Sequence, residues 1–458
     1  MISDFRFPIS DWKLFYVNRN YHQTLRTHIR LLVLVVTVVF IELNPRLIFS
    51  QNVEVFGYFE PQLMGAKIGS DFYQLSSNKL RVDLQLKASD NVSFGANFDY
   101  ITYHGKTKWD ILEFLPKSVT AEASTINLFG YEINPYILPY EDKHFLDNAF
   151  VKFSFKYADF TIGKQQLSMG TGYAWNPTDV FNKKDIIDPT YEQPGHNAFR
   201  MDLPIKSDFG ITAIYAPTED WKYTDILLKL KGRISHFDFS LLGIQKQWNY
   251  TDARIVDPIA MNFYQMNTKR HILGADFVGE LLGLGVWGEY AYNKIKIDDD
   301  EKQAYVNAFA PLLALSSYLY RPMEIKQDYY ELVLGLDYTF DFQTYIMCEY
   351  YRNTSAKSDY KQYNFNDWMQ YLSAETKSIT RDQVYLFVKH PMTDLIDIGG
   401  SYIISLSDNS SAFIPMVTYN VFENVDLSLF GNYYFGKEGT AYASNLGNGG
   451  MFRLRVYF

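Results

Sequence analysis

The residues best suited to catalysis in this sequence stand in "HFDFS", where His236, Asp238 and Ser240 are the types that acyl transfer uses as base, orienting acid and nucleophile. Their spacing argues against that chemistry. Alternate residues of a strand share a face but stand about 7 Å apart, too far for a hydrogen-bonded relay. The other histidines after residue 50 are His104, His144, His196, His271 and His390, and none belongs to a G-x-S-x-G elbow or an H-E-x-x-H pair. The run "DDDEK" (298–302) offers oxygens that suit Ca²⁺, yet adjacent carboxylates lack the spacing of a cage and read as a solvated face. Cys348 is the single cysteine, so no internal disulfide forms. The sequence is read as a non-enzyme with no catalytic residue, no metal site and no cofactor.

Recognition of charge is the more promising chemistry. Lys79, Arg81, Lys152, Lys156, Arg200 and Asp202 each alternate with apolar neighbours. So do Lys229, Lys231, Arg453 and Arg455. If the polar faces that carry these groups line a passage, a ladder of bases there favours anions. Acids share the same faces, among them Asp83, Asp99, Asp238, Glu289, Glu349 and Asp426. If they pair with the bases, the charges stiffen a wall and select little. Both readings stay open. With a net charge of −9, nothing in the composition suggests a nucleic-acid partner.

Those faces belong to strands. The 37 tyrosines and 35 phenylalanines favour strands and gather at membrane–water interfaces. Mean hydropathy is −0.19, so the chain is not a bundle of membrane helices. From residue 52 the dominant period is two. In "KLRVDLQLK" (79–87), Leu80, Val82, Leu84 and Leu86 oppose Lys79, Arg81, Asp83, Gln85 and Lys87. In "MFRLRVYF" (451–458), Phe452, Leu454, Val456 and Phe458 oppose Arg453, Arg455 and Tyr457. About 18 such segments run from 53–68 to 450–458, and the number falls to 16 if 158–169 and 196–203 belong to a loop.

Connections sort by parity. Those after even segments are tight, such as Asp90-Asn91 and 203–207, whereas 105–147, 170–195, 250–269, 296–326 and 357–381 follow odd segments and are long. A transmembrane antiparallel up-and-down β-barrel has this pattern, with short periplasmic turns and long extracellular loops. Closure is required because hydrocarbon offers no partner for the unpaired N–H and C=O groups of a sheet edge. Residues 51–458 are therefore read as a single barrel domain. Residues 1–50 are read as a secretory signal, with Arg26, His28 and Arg30 ahead of the apolar run 30–43 and a cut near Ser50. The 25 residues before Arg26 exceed an ordinary basic leader, which leaves a start downstream of Met1 open.

The stretch "GTGYAWNPTDVFNKKDIIDPTYEQPG" (170–195) breaks the alternation. Its glycines permit tight turns, Pro177, Pro189 and Pro194 fix its path, and Asn176 and Asp179 suit local capping. Tyr173, Trp175 and Phe181 supply bulk to pack on an inner wall, so the stretch is expected to fold inward as a constriction; an ordinary outer loop is the alternative. With the closing aromatic Phe458, the segment "GKQQLSMGTGYAWNPTDVFN" (163–182) resembles porin-like outer-membrane β-barrels of Gram-negative bacteria, with Met169 where that pattern has Trp. The resemblance covers nearly all of 52–458. It implies a diffusion or substrate-selective channel for small hydrophilic solutes in an outer membrane containing lipopolysaccharide. It further implies assembly by the barrel-assembly machinery through the strand ending in Phe458, and a homotrimer as one assembly state. The alternative functions are a non-conducting barrel acting as adhesin or assembly scaffold, with the long outer loops as its working part, or an outer-membrane enzyme.

Overall fold

Period-two alternation builds eighteen antiparallel strands, and each hydrogen-bonds to its two neighbours. A computed structural model describes residues 52–69, 71–124, 126–128, 131–182, 184, 192–257, 262–316 and 321–458; the secretory signal read at 1–50 lies outside them. The strands are β1 (Asn52–Ile68), β2 (Asp71–Ser89), β3 (Val92–Gly105), β4 (Lys143–Ser154), β5 (Asp159–Gln165) and β6 (His196–Lys206). Next come β7 (Phe209–Ala216), β8 (Asp225–Ile234), β9 (Phe237–Asp257), β10 (Asn262–Leu281), β11 (Leu284–Lys296) and β12 (Asp328–Thr339). The last six are β13 (Tyr345–Asn353), β14 (Asp382–Thr393), β15 (Ile396–Ser405), β16 (Ser410–Phe422), β17 (Val425–Phe435) and β18 (Asn448–Tyr457).

The ring closes where β1 pairs with β18. Phe458 extends that seam, exchanging two backbone hydrogen bonds of 3.0 Å with Gly57. Inside the seam Glu60 of β1 holds Arg455 of β18 at 2.5 Å. The outer face carries an apolar belt: Phe59, Leu84, Phe199, Leu241, Leu334 and Phe452 are each at least 39% exposed on strands whose alternate residues point inward. This is a transmembrane barrel's surface, apolar outside and mixed within.

Every connection after an even strand is short, from 90–91 to 423–424, and the longest is 340–344. Long connections at 106–142, 166–195, 297–327 and 354–381 all leave the opposite rim. The strand count is 18, because β5 pairs with both β4 and β6 and so belongs to the wall.

Three sequence expectations are corrected. The long loop expected at 250–269 is instead a hairpin extension, with β9 running to Asp257 and β10 starting at Asn262. Residues 253–255 bulge out of the ladder there, which broke the alternation in the sequence. The outer connection at 297–327 contains helix α1 (Asp299–Leu315), so "DDDEK" forms the first turn of a helix, where acids suit the N-terminal dipole. Lys156 is not on a strand: it lies in the turn 155–158 over the Tyr157 ring, because β4 ends at Ser154.

A second helix, α2 (Phe365–Leu372), lies within the 354–381 connection. It starts with a reciprocal capping box between Asn364 and Asp367, and Phe365, Trp368, Met369 and Leu372 are buried.

Candidate functional site

Residues 166–182 leave β5 and fold into the barrel. Two inward-facing glutamates of the wall hold them there. Glu289 of β11 accepts hydrogen bonds from the backbone N–H of Thr171 at 2.8 Å, of Gly172 at 3.1 Å and of Thr178. Glu349 of β13 accepts from the N–H of Tyr173 at 2.6 Å and from those of Ala174 and Trp175 at 2.9 Å. The Trp287 indole adds a fourth donor to Glu349 at 2.8 Å. Both carboxylates are at most 1% exposed. Buried ions demand such partners, and bonds from N–H groups to an ionised carboxylate are stronger than neutral ones.

The loop sequence fits these anchors. Gly170 has φ +76°, and a Cβ on it would collide with Asn176 and Glu289. The Asn176 amide bonds the Met169 carbonyl, and Asp179 caps the N–H groups of Phe181 at 3.2 Å and Asn182 at 3.0 Å. Trp175 stacks on Tyr351 of β13 with ring centres 5.0 Å apart. Leu167, Met169, Val180 and Phe181 cover apolar inward residues such as Ile214, Leu242 and Ile272, which a water-filled lumen would leave wet.

The wall is shaped to match. Gly335 of β12 lies between the anchors, and a Cβ there would fall inside the Trp287 ring that reaches across to Glu349. A Cβ on Gly274 of β10 would meet the Thr178 methyl at 2.6 Å. Glu289 stands five residues, and Glu349 four, from the short-turn end of its strand. At about 3.3 Å per residue and a tilt near 40°, the segment reaches to within roughly 10–13 Å of that rim, near mid-membrane.

Two lysines bind the backbone of the segment. Lys184 bonds the Gly172 carbonyl and Lys377 the Asn176 carbonyl. Nearby, Arg270 and Glu331 form a pair at 2.9 Å with both side chains 3% exposed, and the Tyr351 hydroxyl donates to Glu331 at 2.8 Å.

Loop residues also pack inside the outer half of the barrel. Trp109 and Phe114 from 106–142 stack at 5.7 Å, and Tyr136 packs on Phe263 and Phe365, each at 5.4 Å. With Trp368, Tyr442 and Leu446 they form a hydrophobic core against the inward wall residues Tyr73, Leu75 and Tyr385.

The bases singled out in the sequence do not converge on one ladder. Lys79 and Arg81 share a cluster, with Lys79 on Asp99 at 3.4 Å and Arg81 on Asp83 at 2.8 Å and Asp147 at 3.2 Å. Glu192, just ahead of β6, sits 3.0 Å from both bases and accepts from the Tyr58 hydroxyl at 2.7 Å. Arg453 and Arg455 share Glu60. Arg200 holds Asp202 at 2.7 Å, Lys152 holds Asp159 at 2.9 Å, Lys229 faces Asp276 at 3.6 Å and Lys231 faces Asp238 at 3.6 Å. Tyr173, Trp175, Asn176 and Asp179 do come together in the inward segment. Lys377 and the anchoring role of the two glutamates were not legible, since these loop and wall partners lie more than 100 residues apart in the chain; Lys184 was missed although its partner Gly172 is 12 residues away, because a lone lysine in a loop carries no local signal.

No family model and no curated protein matches the chain. Among solved structures, it is similar to Acinetobacter baumannii OccAB2, at 7% identity with a TM-score of 0.50, over 89% of this chain and 98% of that one. OccAB1 of the same organism aligns at 11% identity with a TM-score of 0.49, over 89% and 96% of the two chains. OmpT, an outer membrane protein of Vibrio cholerae, aligns at 10% identity with a TM-score of 0.43, over 89% and 99%. The likeness to OccAB2 is one of fold, and with the closed ring and apolar belt it makes this chain an outer-membrane-type β-barrel of 18 strands.

Proposed function

We propose that the protein is an outer-membrane channel of a Gram-negative bacterium that passes small hydrophilic solutes alongside the inward segment 169–182. The segment's attachment to Glu289 and Glu349 carries this reading. A fixed obstruction near mid-membrane makes the passage narrow and solute-dependent instead of general. Residues 1–50 serve as the export signal in this account.

The pairing of bases with wall carboxylates supports weak ion selectivity over an anion-favouring ladder. No catalysis is assigned, and Asp238, the acid of the candidate triad, is engaged by Arg233 at 2.7 Å. The aromatic core across the outer half favours a second reading, a sealed barrel whose outer loops act as adhesin or scaffold. Swelling of liposomes containing the protein, driven by sugars of graded size, tests the two. Slow entry with a sharp size limit supports a channel. Absence of swelling with every sugar overturns it and leaves the scaffold.

A further inference from the structure

The outward face of β10 and β11 carries an unusual block of charge at the long-loop rim. Lys269 stands directly opposite Lys296, and His271 directly opposite Lys294. All four alternate with buried inward residues, so their side chains leave the barrel on its lipid side. Thr268, Arg270 and Ile272 point inward on either side of Lys269 and His271, and Asn293 and Ile295 do so beside Lys294. Directly opposed residues on one sheet face have Cβ atoms about 5 Å apart, and like charges such as Lys269 and Lys296 repel there.

Few acids stand against the block: Asp298 attracts Lys269 and Lys296 while bonded to Lys222, and Lys269 also lies over the Tyr223 ring at 5.5 Å. Asp298 holds Lys222 at 2.7 Å, Glu301 accepts from Asn267, and Asp328, opposite Lys294, accepts from the Tyr292 hydroxyl at 2.8 Å. Toward the short-turn rim the same face turns apolar, with Leu273 at 67% exposure and Tyr290 at 41%. The block thus stands at the level where an aromatic girdle and lipid headgroups meet. Beside it a cavity of about 350 Å³ opens, lined by Tyr292, Tyr330, Lys326, Asp328 and Arg381.

The geometry points to this face as a binding site for the phosphorylated headgroup of an outer-leaflet glycolipid, with Lys269, His271, Lys294 and Lys296 contacting phosphate and the adjoining cavity taking sugar. Multiple close cations of one sign call for a polyanion, and the apolar belt below calls for acyl chains on the same ligand. A lipopolysaccharide headgroup joins both on one molecule. The inference rests on the proposed orientation of the barrel, with its long loops outward.

The test is titration of the folded full-length protein in detergent with three probes: lipopolysaccharide, the same glycolipid stripped of phosphate, and inorganic phosphate. The variants are Lys269→Gln/Lys294→Gln/Lys296→Gln and, at the opposite rim, Lys87→Gln. Heat-dependent gel mobility checks that each barrel is closed. Lipopolysaccharide is expected to bind wild type and Lys87→Gln alike, and the triple variant on the order of 100-fold more weakly. Equal binding by the triple variant, or by the dephosphorylated glycolipid, overturns the assignment. So does competition by inorganic phosphate at equal concentration, which would make the face a free-anion site. If the triple variant does not close, Lys294→Gln with Lys326→Gln reads the same contrast. Sugar flux through the same proteins separates the two proposals: flux without glycolipid binding sinks only this inference, and binding without flux sinks only the channel.

Discussion

Replacing Glu349 by Ala should release the inward segment. The carboxylate has four donors, the N–H groups of Tyr173, Ala174 and Trp175 and the Trp287 indole, in a site that is 0% exposed. A buried donor left without a partner costs about 1–3 kcal/mol, so the low end for four is ~4 kcal/mol, on the order of a thousand-fold in the docked-to-released ratio. Glu349→Gln is the informative control. Oε1 serves Ala174 and Trp175, while Oε2 serves Tyr173 and Trp287. Whichever oxygen becomes the amine, two donors lose their acceptor, so roughly half the penalty is expected. Single-channel conductance in planar bilayers and hydrogen exchange at residues 171–178 are the assays. Conductance and exchange should rise in the order wild type, Gln, Ala. If the amides of 173–175 in the Ala variant exchange as slowly as those of β13 and conductance is unchanged, the anchoring argument is wrong.

Two further outcomes follow from the same geometry. Gly335→Ala forces the Trp287 indole off Glu349, so tryptophan fluorescence should shift and thermal unfolding should fall by about 1–3 kcal/mol equivalent, whereas an unchanged spectrum would contradict the packing. Arg81→Gln leaves Asp83, Asp99, Asp147 and Glu192 with only Lys79 in reach of Asp99 and Glu192, so the reversal potential in asymmetric KCl should move toward K⁺; no movement would mean that the cluster lies off the ion path.

The wall was readable because its rule is local. Period two fixes which side chains meet lipid, and the parity of connection length fixes the two rims. The expected segments 158–169 and 196–203 became β5 and β6 for that reason. Extent was harder to read. Residues 71–78 and 250–257 look irregular in sequence, yet they extend hairpins beyond the membrane, where no lipid enforces alternation. Helix α2 had a signal in Asn364-Phe365-Asn366-Asp367, a capping pattern that opens an apolar turn. The inward fold of 170–182 could be inferred from its turn chemistry, but its anchors could not. Glu289 and Glu349 look like any other polar wall residues, and their partners are set by closure of the ring. The paired state of the bases is likewise a property of neighbouring strands and loops, as with Glu192 reaching back to Lys79 and Arg81.

A channel narrowed in this way requires segment 169–182 to lie inside the barrel, and a cross-link reads this directly. Thr178→Cys and Gly274→Cys, made with Cys348→Ala, bring two cysteine side chains together where the Thr178 methyl and a Cβ at 274 lie 2.6 Å apart. Mild oxidation in native membranes should form a disulfide within one chain, seen as a reduction-sensitive shift in gel mobility of the unfolded protein, with conductance held at the wild-type level when Glu349→Ala is added. Free thiols at both positions after oxidation, in a barrel shown to be closed by its heat-dependent mobility, would contradict it.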